Sequence, residues 1–142
     1  MEALAAELQD EPVALARVLE GNIAMAEKKP RDAIRAFEAA NEIVDTWIAH
    51  YDLGRAYLSA GLLTQADSEF DQCLSRRGEA LSIFLDDEPT FAYLPALYFY
   101  QGRVREDLKT AKFAEAYKTY LSIRGRAGED PLLAEARRRA GG

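Results

Sequence analysis

Apolar residues recur along this chain three or four positions apart, which is the spacing of one face of an α-helix. In the clearest stretch Leu53 and Tyr57 lie one turn apart and share a face. After a break, Ala66, Phe70 and Cys73 recur at the same spacing. The pattern predicts two short amphipathic helices, and no segment alternates apolar and polar residues as an exposed strand would.

A small residue precedes a ring at fixed offsets in two places. Glycine has no Cβ, so a second helix can approach closely beside it and place a large side chain there. Alanine and phenylalanine then follow one turn apart in the second helix. Two copies of this order, offset by 33 residues, predict two similar helix pairs. The two sets are Gly21, Ala33 and Phe37, and Gly54, Ala66 and Phe70.

The same periodicity predicts an all-α chain. Asp10 is expected to cap a helix with Pro12 in its first turn, after a separate short helix over residues 2–9. Asp45 is expected to cap the helix that begins at Trp47. Leu15, Leu19 and Ile23 form an apolar stripe on the first long helix. The expected helices cover residues 14–28, 30–43, 47–60, 64–77, 95–109, 112–124 and 131–139.

The order Leu53, Gly54, Tyr57, Ala66, Phe70 resembles the tetratricopeptide repeat (TPR), a helix–turn–helix unit of about 34 residues. The resemblance implies a right-handed α-solenoid of about three helix pairs with a C-terminal capping helix, in one domain over residues 1–142. The implied repeats cover about 14–46, 47–80 and 95–128, with an insertion at 78–94, a loop at about 86–93 and the capping helix at 131–139.

In the third copy Gly102, Ala116 and Tyr120 take the places of glycine, alanine and phenylalanine. Gly102 and Ala116 are two residues further apart than in the other copies, which predicts a larger turn. The small-against-large packing predicts a buried set of side chains. These are Phe37, Leu53, Tyr57, Phe70, Cys73 and Tyr120.

Composition narrows the functional classes. The 142 residues carry a net charge of −6, which argues against a sequence-independent nucleic-acid binder. No apolar run approaches the length of about 20 residues that spans a bilayer, and the acidic N-terminus differs from a secretory signal. We therefore expect a cytoplasmic protein without membrane or nucleic-acid partners. The tract RRGEALSIFLDDEPTFAYLPALYFYQGR also resembles the last repeats of large bacterial signalling proteins, which implies that the chain is part of one.

The residues suggest no enzyme, cofactor or metal site. His50 is interpreted as a packed or half-exposed imidazole and Cys73 as a core residue. The acidic residues 86–88 lack the alternate spacing of a Ca²⁺ loop, so a solvated loop is favoured. The arginines at 137–139 are interpreted as a solvated helix end.

The most informative residues lie on the first helices of the repeats, which line the concave surface in the family that the chain resembles. An aromatic residue precedes an arginine by four positions twice, a pairing common in binding anchors. The alternative is a ring–guanidinium pair that only stabilises its own helix. The predicted groove residues are Asn22, Tyr51, Asp52, Arg55, Phe99 and Arg103.

These residues predict a non-enzymatic module that binds a peptide or helix of a partner protein, with the two arginines favouring an acidic segment. The family's clamp for C-terminal carboxylates is not predicted, because Val18 replaces its lysine and Asp52 would repel the carboxylate. Two alternatives remain open. One is a self-associating scaffold that forms a homodimer, and the other is a ligand-sensing regulatory segment of a larger signalling protein.

Overall fold

The structure, a computed structural model, describes residues 2–77, 94–126 and 130–141, without the side chains of residues 2–9 and Leu94. Within these residues all regular structure is helical, which confirms the all-α class. The expectations about the 78–93 segment lie outside the described residues. The helices are α1 (Glu2–Ala26), α2 (Pro30–Ile43), α3 (Trp47–Ser59), α4 (Leu63–Ser75), α5 (Leu94–Asp107), α6 (Phe113–Arg124) and α7 (Pro131–Ala140).

The chain divides into two compact units, Met1–Glu88 and Pro89–Gly142. In the first unit α1 packs against α2, α2 against α3, and α3 against α4. In the second unit α5 packs against α6, and α6 against α7. Within each unit every helix therefore contacts the next one along the chain, as expected of helical repeats.

A glycine of the first helix faces a ring of the second helix in each of three helix pairs. A Cβ added at any of these glycines would lie 2.3–2.8 Å from the nearest ring carbon, closer than two carbon atoms can approach. The missing side chain therefore sets the separation of the paired helices. The three pairs are Gly21 with Phe37, Gly54 with Phe70, and Gly102 with Tyr117.

The third pair corrects one prediction, because the ring that meets Gly102 belongs to Tyr117 and not to Tyr120. The turn before α6 covers residues 108–112 and is two residues longer than the turn at 60–62, as predicted. This longer turn delays the start of α6, so a residue nearer to its N-terminus reaches the glycine. Tyr120 is also buried and packs on Phe99, with ring centroids 5.8 Å apart.

The predicted core is confirmed except at Tyr57. Its ring is only partly buried, and its hydroxyl donates to Glu38 Oε1 at 2.7 Å near the surface. A tyrosine can bury its ring edge while its hydroxyl stays at the water boundary. The confirmed core residues are Phe37, Leu53, Phe70, Cys73 and Tyr120, each at most 4% exposed.

The predicted helix ends are within two residues of the observed ones, with one exception. Helix α1 continues through Pro12 from residue 2, so Asp10 does not cap a new helix. Proline removes one hydrogen bond and crowds the carbonyl four residues earlier, and the good helix formers on both sides offset this cost. Thr46, and not Asp45, caps α3, because its side chain accepts from the Ala49 N–H at 3.3 Å.

The outer face of α1 is more apolar than expected. Ala14 and Val18 turn inward and are buried, whereas Leu19 and Ile23 are 64% and 54% exposed. The predicted apolar stripe through Leu19 and Ile23 therefore lies at the surface of the first unit. Exposed apolar residues that cluster on one helix face often mark contact surfaces.

The last helix covers the second unit, as predicted for a capping helix. Leu133 and Ala136 are buried against the aromatic cluster of α5 and α6. Asp130 caps α7 by accepting from the Leu132 N–H at 2.9 Å. Arg139 is not part of a solvated helix end, because it binds Glu106 and Glu135 at 2.6 and 2.8 Å.

Over the described residues, no helix has the length and apolar character needed to cross a membrane.

Candidate functional site

Three of the predicted groove residues meet between α1 and α3. Asn22 Nδ2 donates to Asp52 Oδ2 at 2.8 Å, and Arg55 Nη1 donates to Asp52 Oδ1 at 2.8 Å. We call Asn22, Asp52 and Arg55 the Asp52 cluster. The Arg55 guanidinium also lies 5.6 Å from the centroid of the Tyr51 ring, one turn earlier on the same helix. The ring–guanidinium pair expected as the stabilising alternative is thus present at Tyr51 and Arg55.

Asp52 is a buried acid, only 4% exposed. Burial raises the pKa of Asp52, while the Asn22 amide and the Arg55 guanidinium lower it, and the net direction is upward. The Arg55 side chain is 30% exposed, so the buried Asp52 carboxylate is paired with a guanidinium that reaches solvent. Its positive charge is therefore balanced within the protein, and the reason for expecting an acidic partner at Arg55 is weakened.

The other two predicted groove residues lie in the second unit. The Phe99 ring is 1% exposed and packs edge-on against Tyr117, with centroids 5.9 Å apart. Arg103 Nη1 donates to Glu135 Oε1 of α7 at 3.1 Å. The expectation that Tyr51 and Phe99 line a surface is wrong, because both rings fill cores.

A pocket that the sequence reasoning missed opens between α2, α3 and α4, all in the first unit. Its volume is about 410 Å³. We call it the α2–α4 pocket. The helices contribute distinct chemistry, with acidic groups from α2 and α4 around an apolar floor from α3. The lining residues are Glu38, Asn41, Glu42, His50, Leu53, Tyr57 and Glu69.

The packing of the helices explains why these side chains converge. Glu38 directly follows the buried Phe37, and Glu42 lies one turn later on α2, so both stand at the edge of its buried face. Glu69 directly precedes the buried Phe70 on α4. An acid beside each buried ring is the sequence signal for this pocket, but the distance between α2 and α4 is set only by packing.

His50 contacts both a pocket residue and the loop before α3. One ring nitrogen lies 2.6 Å from Glu69 Oε2, and the other lies 2.7 Å from Asp45 Oδ1. Asp45, expected as a helix cap, instead accepts from both His50 and Arg76. Since both partners of the imidazole are carboxylates, which only accept hydrogen bonds when ionised, the arrangement favours the doubly protonated ring. His50 is packed, as expected, with 13% of its side chain exposed, and it also bridges two carboxylates.

The His50 pKa gives a direct test of this bridge. Burial lowers the pKa of His50, but the hydrogen bonds and charges of Glu69 and Asp45 raise it more, to a net value above the ordinary 6.5. The bridge therefore stabilises the fold fully below about pH 6.5 and loses this contribution as the pH rises through the folded-state pKa. Because the chain has one histidine, its proton NMR signal reports this titration without ambiguity.

We expect the Glu69→Gln variant to lower the His50 midpoint, since it removes the acceptor charge at 2.6 Å. Glu20→Gln is the matched control, because Glu20 pairs with Arg17 on α1 and does not line the pocket. A midpoint at or below 6.5 in the parent chain would contradict the doubly bridged imidazolium.

Among the described residues, no group of three or more His, Cys, Asp or Glu side chains is arranged to hold a metal ion. The acidic residues 86–88 lie outside the described part of the chain. No protein-family model matches this sequence, and no curated protein matches it either.

Proposed function

We propose that the chain is a non-enzymatic interaction module, built from TPR-like helix pairs, that binds a peptide or helix of a partner protein. The α2–α4 pocket carries this proposal, because it offers an apolar floor and several polar groups in one concavity. The repeated glycine–ring contact supports the TPR-like assignment. Successive helices of such repeats present side chains from several turns to one ligand.

The arrangement of the pocket favours binding over catalysis. A nucleophilic mechanism needs a base that can accept a proton from a neighbouring hydroxyl or thiol. Both ring nitrogens of His50 lie against carboxylates, which raise its pKa and favour the protonated ring, and the Tyr57 hydroxyl already donates to Glu38. Burial, together with the hydrogen bond to Glu38 and its charge, also raises the pKa of Tyr57, so its hydroxyl keeps its proton.

We accordingly expect no hydrolase, transferase or redox turnover from the purified chain. Turnover is measured with a panel of ester, phosphate, peptide and thiol substrates, at protein concentrations high enough to detect slow reactions. Turnover that copurifies with the chain and disappears in the His50→Gln variant would contradict a non-enzymatic role.

Selection of random peptides displayed on phage tests the binding function itself. The native chain is expected to enrich peptides whose synthetic forms bind with a dissociation constant in the micromolar range by calorimetry, about −8 kcal/mol. The urea-unfolded chain serves as the control bait. Failure to enrich any peptide that prefers the native chain would count against the proposed function.

Self-association is the second candidate function, and the exposed α1 face favours it. Leu19 and Ile23 are more than half exposed on one side of a long helix, and Arg17 and Glu20 form an ion pair on the same helix. Two antiparallel copies of such a helix would match apolar to apolar and acid to base.

Sedimentation equilibrium is expected to give a dimer that dissociates in the Leu19→Glu, Ile23→Glu double variant. A monomer at all concentrations would exclude it.

A further inference from the structure

We propose that the α2–α4 pocket holds a basic side chain, lysine or arginine, presented by the partner segment. This inference rests on the proposed function and names the chemistry that its site recognises. It replaces the expected acidic partner with a basic one.

The lining of the pocket matches a long cationic side chain. The apolar part of the lining comes from Leu53 and Tyr57, and since Leu53 is only 4% exposed, the methylene stem of lysine or arginine would lie mainly on the Tyr57 ring. Glu38 and Glu42 approach from α2, and Glu69 approaches from α4, so a cationic head meets carboxylates from two helices. An arginine or lysine over this floor would keep its stem in apolar contact while its head is neutralised.

Two of these carboxylates have no positively charged partner among the described residues. Within the described part of the chain, Glu42 has no hydrogen-bond or ion-pair partner, and the only hydrogen bond to Glu38 comes from the neutral Tyr57 hydroxyl. Glu69 and Asp45, by contrast, share the positive charge of His50, and Arg76 also binds Asp45. The cation site is therefore formed mainly by Glu38 and Glu42, with His50 at its edge.

The net charge of the first unit also favours a basic ligand. Residues 1–88 contain 8 Lys and Arg against 18 Asp and Glu, a net charge of −10, whereas residues 89–142 carry 10 against 6, a net charge of +4. Residues 10–77, whose side chains the structure describes, contain 8 Lys and Arg against 12 Asp and Glu, a net charge of −4, and a net negative charge raises the local concentration of cationic ligands. The first unit is therefore suited to a basic segment.

The test uses two short acetylated and amidated peptides, Gly-Gly-Lys-Gly-Gly and the same peptide with acetyl-lysine. They are titrated into the ¹⁵N-labelled full chain. We expect the lysine peptide to shift the amide signals of Leu53, Tyr57 and neighbouring residues, while the acetyl-lysine peptide leaves them in place. An arginine version of the peptide should shift the same signals. Equal shifts with acetyl-lysine would overturn the proposal, because the charge would then not be recognised.

The Glu38→Gln, Glu42→Gln double variant is expected to weaken the lysine peptide about fivefold or more, the combined effect of two partly exposed ion pairs. The matched control is Glu20→Gln with Glu27→Gln, which changes the net charge equally but lies outside the pocket. This control is expected to weaken binding less than about twofold. Equal weakening in both variants would show long-range attraction only and would overturn the pocket assignment.

Glu42→Gln alone keeps the proposal testable if the double variant folds poorly, since Glu42 has no partner to lose within the described residues. The phage-selected peptides separate this inference from the proposed function. If selected peptides bind but lack basic residues and ignore the pocket variants, the basic-ligand inference fails while the interaction module stands. If the native chain enriches no peptide, the proposed function itself fails, whatever the lysine peptide does.

Discussion

Replacing Phe70 by alanine is expected to lower the free energy of unfolding of the first unit by about 3–5 kcal/mol. The Phe70 ring is fully buried, fills the space beside Gly54, and lies 6.5 Å from the Tyr51 ring, centroid to centroid. Its removal takes apolar surface out of contact and leaves a cavity between α3 and α4. Since small domains are stable by only about 5–15 kcal/mol, the variant should be largely unfolded at modest urea concentrations.

The single tryptophan of the chain allows this loss to be measured in the first unit itself. Trp47 lies at the start of α3 and is 3% exposed, so its fluorescence follows the unfolding of that unit in urea. Leu62→Ala is the control, because Leu62 is 40% exposed and its loss should cost less than about 1 kcal/mol. A similarly small loss for Phe70→Ala would show that the ring does not hold the two helices together.

The Arg55→Met variant is expected to destabilise the first unit by about 1–3 kcal/mol at neutral pH. Methionine retains the apolar stem but removes the charge that balances the buried Asp52 carboxylate. The loss is smaller than for a fully buried pair, because the Arg55 side chain is 30% exposed. The Trp47 urea transition measures it. Arg35→Met is the matched control in the same unit, since its partner Asp32 is itself 50% exposed and a solvated carboxylate needs no counter-charge.

The pH dependence identifies the cause of this loss. A carboxyl whose folded-state pKa is raised makes the fold less stable as the pH rises through that pKa, because the native state then buries the charged form. Removing Arg55 raises the Asp52 pKa further, so the difference from the parent chain should shrink on acidification. The Asp52→Asn, Arg55→Met double variant should lose less than the single one. A loss independent of pH and additive in the double variant would assign it to packing.

Tyr51 and Arg55 show which contacts helix spacing predicts and which it does not. The i, i+4 spacing of Tyr51 and Arg55 correctly placed the guanidinium beside the ring, since that contact lies within one helix. The same spacing could not show that the Tyr51 ring is buried, because burial depends on which helix covers it. The ring–guanidinium contact of the stabilising alternative is present, and the binding interpretation of the pair stays a prediction.

Within the described residues, the sequence by itself determined the helices from residue 14 onward, their turns and the glycine–ring contacts of the first two pairs, because these depend on spacings within about one repeat. It also indicated part of the core, since five of the six residues predicted to be buried are buried. Only the tertiary structure showed that Asp45 holds His50 and Arg76, and that Glu38, Glu42 and Glu69 surround one pocket. These contacts join side chains from separate helices, and their distances depend on how far the glycines let the helices approach.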